Sequence, residues 1–193
     1  ASTLKPVGVF LEVPSDGDLA TCERMAAEMK ERGADGIVAV GGGSVIDSSK
    51  GANIVFTYGG RLADHQGVGV LQGKLAPFLV IPTTAGTGSE VSRIAALKDP
   101  EQHIKLFFES EYLAADLALL DPEMTTSMPP KLTAATGMDA MTHAVEALLA
   151  SNAFPMTNAL AFHAMMVIYK HLPRVVKNGQ DLESRGEMLF AST

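Results

Sequence analysis

Apolar and polar positions along the chain follow two periods, and the switches between them mark the elements. PVGVFLEV, near the start, is a short β-branched run closed by the turn cluster PSDGD, which predicts a strand and then a helix cap. Apolar positions 19, 22, 25, 26 and 29 share one helical face, and Gly33 stands where a C′ glycine would end that helix. GIVAV at 36–40 is continuously apolar, the pattern of a strand buried on both faces of a parallel sheet. Glycines 41–43 break it, SVIDSSKGANIVF resumes as a helix, and APFLVIP follows a polar loop as a third strand. Two consecutive β-α-β units with right-handed crossovers make a parallel, doubly wound sheet.

Beyond residue 92 the pattern changes. RIAALKDPEQHIKLFFES reads as two short strands about the turn DPEQ, a hairpin, and LALL at 117–120 as one more short buried strand closed by Asp121-Pro122. After Pro129-Pro130 no strand signal returns. Residues 131–150 and 156–172 are apolar with helical spacing, and Pro155 and Pro173 punctuate them. The spacing therefore predicts a Rossmann-like α/β domain over residues 1–128 and the start of an all-helical domain over 129–193.

Composition narrows the partners. With 193 residues, 47% apolar and 19% charged, the chain buries a core rather than staying disordered. A net charge of −7 with no Lys/Arg run gives no footprint for nucleic acid, so a small-molecule partner is expected. The single cysteine, Cys22, excludes an internal disulfide framework and thiolate-rich metal sites. Its helical spacing with Leu19, Met25, Ala26 and Met29 reads as a buried structural thiol. No apolar run reaches the roughly 18 to 20 residues that span a bilayer, and ASTLKPVGVF lacks a leader pattern; a cytoplasmic setting without a membrane partner is the expectation.

Three motifs carry chemistry. GGGSVID follows a strand and opens a helix, where unpaired N–H groups and the helix dipole hold a phosphate without any basic side chain. It fits neither GxGxxG nor the P-loop pattern, and Ser44 with Asp47 also reads as a capping box. PTTAGTGSEVS (82–92) follows a buried strand, so it lies at the carboxyl edge of the sheet where open α/β folds bind ligands. Its hydroxyls can donate to phosphate, ribose or carboxamide; a plain capped connection is the other reading. In TGMDAMTHAVEA, Asp139 and His143 lie one helical turn apart and converge on one point, amid Ala, Met, Thr and Val that predict an interior face. A divalent cation would satisfy both, Fe(II) and Zn(II) alike suiting an oxygen and nitrogen set, whereas an ion pair would need no metal.

In this order and spacing, GGGSVIDSSK, PTTAGTGSEVS and LLDPEMTTSMPPKLTAATGMDAMTHAVEA resemble the iron-containing, or group III, alcohol dehydrogenase family. The resemblance implies the dehydroquinate synthase-like architecture, a dinucleotide-binding domain with a helical metal-binding domain and the active site in the cleft between them. It implies that Gly42, Gly43 and Ser44 hold the cofactor pyrophosphate with Asp47 near the nicotinamide end. Thr83, Thr84 and Thr87 would contact the cofactor, Lys105 would reach the ribose, and Thr125 is an adenine-side candidate. Asp139 and His143 match the first two metal ligands, Fe(II) before Zn(II). The family's two further histidine ligands lie downstream of these residues, and its first strand, helix and strand lie upstream of PVGVF. The sequence thus looks like the middle of a polypeptide about twice as long. His65, His103, His163 and His171 do not match the missing ligand positions and read as loop, turn or helix residues.

The function implied is NAD- or NADP-linked interconversion of an alcohol and an aldehyde or ketone by hydride transfer, with a small alcohol or aldehyde substrate and a homo-oligomer, dimer or higher. The residues as given should have little activity alone. Alternatives are a zinc-dependent glycerol dehydrogenase-like or dehydroquinate synthase-like enzyme of the same fold, or a truncated non-catalytic nucleotide-binding module. A short-chain dehydrogenase is excluded, because none of Tyr58, Tyr112 and Tyr169 has a lysine four residues on.

Overall fold

The computed structural model describes residues 4–193; residues 1–3, with which the expected α/β domain opens, lie outside the described residues. The chain forms two compact units. One takes the residues up to Val80 together with Ser89–Ala118, the other Ile81–Gly88 with Leu119–Thr193.

In the first unit, helix α1 (Leu19–Glu31) starts where Asp18 accepts the Thr21 N–H at 2.6 Å and stops before Gly33, whose φ of +64° is the left-handed turn a glycine supplies. Strand β1 (Ile37–Gly41) leads into α2 (Gly43–Tyr58), and β3 (Phe78–Pro82) follows a two-residue strand β2 (Gly67–Val68). Strands β4 (Ile94–Asp99) and β5 (Ile104–Glu109) form the antiparallel hairpin, and β6 (Leu117–Ala118) closes the set. One sheet has the order β1-β3-β6, with β3 parallel to β6; the other has the order β2-β5-β4. Helix α2 seats Ile46 against Ala39, Phe78 and Val80. Its other contacts build the larger core of Cys22, Ala26, Ile54, Leu97, Leu106 and Phe108.

Three expectations are corrected in this unit. PVGVFLEV forms no strand, because among the described residues no ladder partner flanks it; Val9 and Leu11 stand 72% and 86% exposed. GIVAV is not buried on both faces. Ala39 is buried under α2, but Val38 and Val40 on the opposite face are about half exposed, so among the described residues the β1-β3-β6 sheet is covered on one side rather than doubly wound. The LALL strand is short and open too, with Leu117 and Leu119 more than half exposed.

The second unit is helical: α3 (Pro130–Leu149), α4 (Pro155–Lys177) and α5 (Leu182–Ser192) pack around Ile168, Leu172, Val175, Met188 and Leu189. Pro130 begins α3 where its missing N–H costs nothing. Pro173 does not end α4, as its residue type suggests, but lies inside it. The apolar face formed by Ile168, Leu172 and Val175 continues across the proline, and burial of that face outweighs the one helical hydrogen bond lost. Gly137 lets α3 and α4 approach closely, since a Cβ there would collide with the Leu172 side chain.

Candidate functional site

The glycine-rich turn sits at the start of α2. Its N-cap is Gly42, which makes no side-chain capping bond, so the first-turn N–H groups meet no cap side chain. That arrangement suits an anion. Gly41 is tied to the turn by space: a Cβ on it would lie 2.6 Å from Val45 Cβ. The capping-box reading of Ser44 and Asp47 is corrected. Ser44 Oγ accepts the Asp16 N–H at 3.0 Å, and Asp47 Oδ2 accepts the Ala96 N–H at 3.1 Å, a contact across 49 positions of sequence. The helix begins one residue before Ser44, so neither side chain is placed to cap it.

Asp47 instead belongs to a buried polar cluster. Lys50, 1% exposed, donates from Nζ to the carbonyls of Ser92 and Ile94, each at 2.8 Å. Burial pushes the Asp47 carboxyl up, against the pull of the Ala96 N–H, Lys50, the Ser89 hydroxyl and Lys105. Glu90, 2% exposed, is likewise raised by burial, against its own backbone N–H and then Lys50. Burial pushes the Lys50 ammonium down to about 8, against the attraction of Asp47 and Glu90. Lys50 and Glu90 were not singled out by sequence reasoning; the available signal was a lysine three positions after Asp47, on the same helical face. Lys105, on β5, pairs with Asp16 Oδ1 at 3.1 Å with both side chains about half exposed.

In the second unit, the loop after β3 presents Thr83, Thr84 and Thr87, the first two partly buried and the third exposed. It packs on α3. Ala85 joins the core beside Ala140, and a Cβ on Gly86 would lie 2.9 Å from Thr136 Cβ and its carbonyl oxygen, one turn before Asp139. Gly88 turns at φ +62° beside the Ser192 carbonyl, a conformation glycine adopts without strain. Thr125, the adenine-side candidate, is fully buried and donates its hydroxyl to the Pro122 carbonyl at 2.9 Å, so no face of it is open to a ligand.

On α3, Asp139 Oδ1 lies 3.7 Å from His143 Nε2, with the two side chains 45% and 50% exposed. The interior face expected for them is corrected: α3 turns Thr133, Gly137, Ala140 and Ala144 inward, and the pair stands on the flank beside that stripe. Two such ligands on one face fit a divalent cation, but among the described residues no third acidic, histidine or cysteine ligand joins them. Glu146 is exposed. Of the other histidines, His65 bonds the Gly59 carbonyl, His103 occupies a left-handed turn position (φ 56°), and His171 is buried with Nδ1 3.0 Å from Ser184 Oγ. No helix among the described residues is long and apolar enough to cross a membrane.

Residues 2–122 match the sequence model of a family described as iron-containing alcohol dehydrogenase, and residues 133–193 match that of the Fe-containing alcohol dehydrogenase family, C-terminal. The chain is 41% identical over 162 residues to the NAD-dependent methanol dehydrogenase of Bacillus methanolicus, an alignment covering 84% of this chain and 42% of that protein. It is 42% identical over 192 residues to the 4-hydroxybutyrate dehydrogenase of Cupriavidus necator, covering 96% of this chain and 50% of that one. Among solved structures, that of a 1,3-propanediol oxidoreductase matches with a TM-score of 0.93 and 37% identity over 96% of this chain and 48% of its own. The chain spans about half the length of the relatives it matches.

Proposed function

Because this chain belongs to the iron-containing alcohol dehydrogenase family, we propose that it serves a metal-dependent, NAD(P)-linked oxidoreductase that interconverts an alcohol and an aldehyde or ketone by hydride transfer. The observation that supports the reading best is the seating of the threonine loop on α3, with Ala85 beside Ala140 and Gly86 against Thr136, next to Asp139. A hydride donor and the metal that polarises its partner must share one site, and this packing brings a loop able to bind a cofactor to the helix able to bind a metal.

When bound, a divalent metal, Fe(II) before Zn(II), supplies Lewis acidity to the substrate oxygen, and NAD(P) carries the hydride. This chain's residues do the holding. The open N–H groups at Gly42, Gly43 and Ser44 take the pyrophosphate. The hydroxyls of Thr83, Thr84 and Thr87 orient the rest of the cofactor, and Asp139 and His143 supply an oxygen and a nitrogen to the cation. NAD is the first choice of cofactor, from the methanol dehydrogenase relative that is NAD-dependent. Lys105 is a ribose contact only if it leaves Asp16. Thr125, buried with its hydroxyl engaged, plays no part in this reading. The substrate is a small alcohol or aldehyde, the assembly a homo-oligomer and the setting cytoplasmic. A dinucleotide-binding α/β domain ending near residue 128 and a helical metal-binding domain after it complete the proposal.

The 193 residues alone should turn over little alcohol, because a catalytic metal takes three or more protein ligands and two stand here. The test is titration of Fe(II) or Zn(II), and separately of NAD, into the wild-type chain, with alcohol turnover measured before and after chelation. Metal and dinucleotide uptake are expected; robust turnover that survives chelation would overturn the reading.

A further inference from the structure

A buried lysine is an expensive way to fill a core. Met would occupy the Lys50 space without desolvating a charge, and the surrounding α2 residues Ser48, Ser49, Gly51 and Ala52 are small and closely packed. Gly51 illustrates how close, since a Cβ there would stand 2.7 Å from Leu97 Cδ1 and 2.8 Å from Cys22 Sγ. Lys50 nevertheless reaches through this layer to two carbonyls, those of Ser92 and Ile94, at 2.8 Å each. Three residues earlier on the same face, Asp47 takes the Ala96 N–H. One helical face of α2 is thus bonded to a run of backbone from Ser92 to Ala96. Two buried carboxylate oxygens, Asp47 Oδ1 and Glu90 Oε1, have no hydrogen-bond partner, and the charge of Lys50 acts on both carboxylates beside the backbone N–H groups that also lower them.

The start of α2 lacks a capping side chain at Gly42, so nothing at the cap sets where its N–H groups aim. Ser44 gives one exposed tie, to the Asp16 N–H. The buried ties lie one and two turns further in, at Asp47 and Lys50. We propose that Lys50 is a positioning residue for the anion-binding turn: its ammonium, clamped on the Ser92 and Ile94 carbonyls and balancing Asp47 and Glu90, fixes α2 so that the Gly43 and Ser44 N–H groups are preorganised for a pyrophosphate. This rests on the dinucleotide reading above. It assigns Lys50 no contact with the cofactor; its action runs through the helix.

The test compares the wild-type chain, Lys50→Met, and Lys50→Cys in a Cys22→Ala background before and after aminoethylation, which restores an ammonium at nearly the original reach. The Cys22→Ala chain is the reference for the cysteine pair, and that pair carries the comparison should Lys50→Met fail to fold. Hydrogen exchange reports positioning without ligand, and ADP-ribose is the binding probe. The uncharged variants should lose amide protection selectively at residues 45–50 and at Ala96, and weaken ADP-ribose by about tenfold or more. Aminoethylation should restore both. Unchanged protection, lost protection with unchanged ADP-ribose affinity, or no rescue by the restored ammonium would each overturn the proposal. A wild-type chain that takes up no ADP-ribose defeats the dinucleotide reading itself; failure of the positioning role alone shows as wild-type binding that the uncharged variants retain.

Discussion

Asp139 and His143 stand one turn apart on α3 with Oδ1 3.7 Å from Nε2, both half exposed, a separation at which an ion pair stabilises little. An exposed pair contributes about 0 to 1 kcal/mol. His143→Ala should therefore leave the melting temperature nearly unchanged while removing one of two adjacent cation ligands. Isothermal titration with Zn(II), and with Fe(II) under anaerobic conditions, should show affinity reduced about tenfold or more. Equal metal affinity in both proteins would leave the pair as a surface contact only.

Gly41→Ala tests the tight turn. The new methyl would meet Val45 Cβ and Cγ2 at 2.6 Å, atoms fixed to the α2 backbone rather than the tip of a flexible chain. Overpacking of that kind costs about 1–3 kcal/mol. Because Val45 sits in the first turns of α2, the displacement should also weaken ADP-ribose binding. A variant with wild-type urea stability would show that the turn yields freely.

Arg185 in α5 is 3% exposed and donates to the Gly179 carbonyl at 3.0 Å, Thr133 Oγ1 at 3.1 Å and the Met128 carbonyl at 3.4 Å. Among the described residues no carboxylate pairs with it, and burial lowers its pKa. Arg185→Met removes a buried charge without stranding an opposite one, and leaves three acceptors short of a donor. The expected loss is about 1–3 kcal/mol. Arg185→Lys keeps the charge but cannot span the same fork, so it should be at least as unstable by urea denaturation. Greater stability in the lysine variant would show that charge, not the fork, holds the α3 end.

The local signals in the sequence were the dependable ones. Asp18 and Gly33 bound α1 because capping is decided within a few residues, and the β4–β5 hairpin forms about its turn for the same reason. Long-range partners were not legible. Asp47 looked like a cap because its offset from Ser44 fits one, yet its hydrogen bond lies 49 positions away at Ala96. PVGVFLEV has strand composition, but a strand exists only where a neighbour completes the ladder. Pro173 has the residue type of a stop, and the buried stripe around Ile168 and Val175 carries the helix through it. At the candidate site, residue types and order pointed to the threonine loop and the Asp139–His143 pair, while the packing of Ala85 and Gly86 on α3 required the fold.

Two buried groups give stability above neutral pH opposite slopes. Burial lowers the Lys50 ammonium from 10.5 to about 8, so between those values the unfolded chain binds more protons than the folded one, and stability rises with pH through that window. Asp47 on α2 and Glu90 act on Lys50 against that fall, and Lys105 acts on Asp47 from β5. Cys22 runs the other way. Burial raises its thiol from 9.0 to about 12, so the folded chain holds a proton that the unfolded chain has lost. That contribution is fully present below pH 9.0 and disappears as pH climbs toward about 12. Urea unfolding should show the Lys50 rise unopposed from about pH 8 to 9.0, then flattened or reversed by Cys22. Lys50→Met should remove the rise, and Cys22→Ala should let it continue to about pH 10.5. Profiles for wild type and Cys22→Ala that stay parallel above pH 9.0 would mean that the thiol ionises in the folded chain as easily as in the unfolded one.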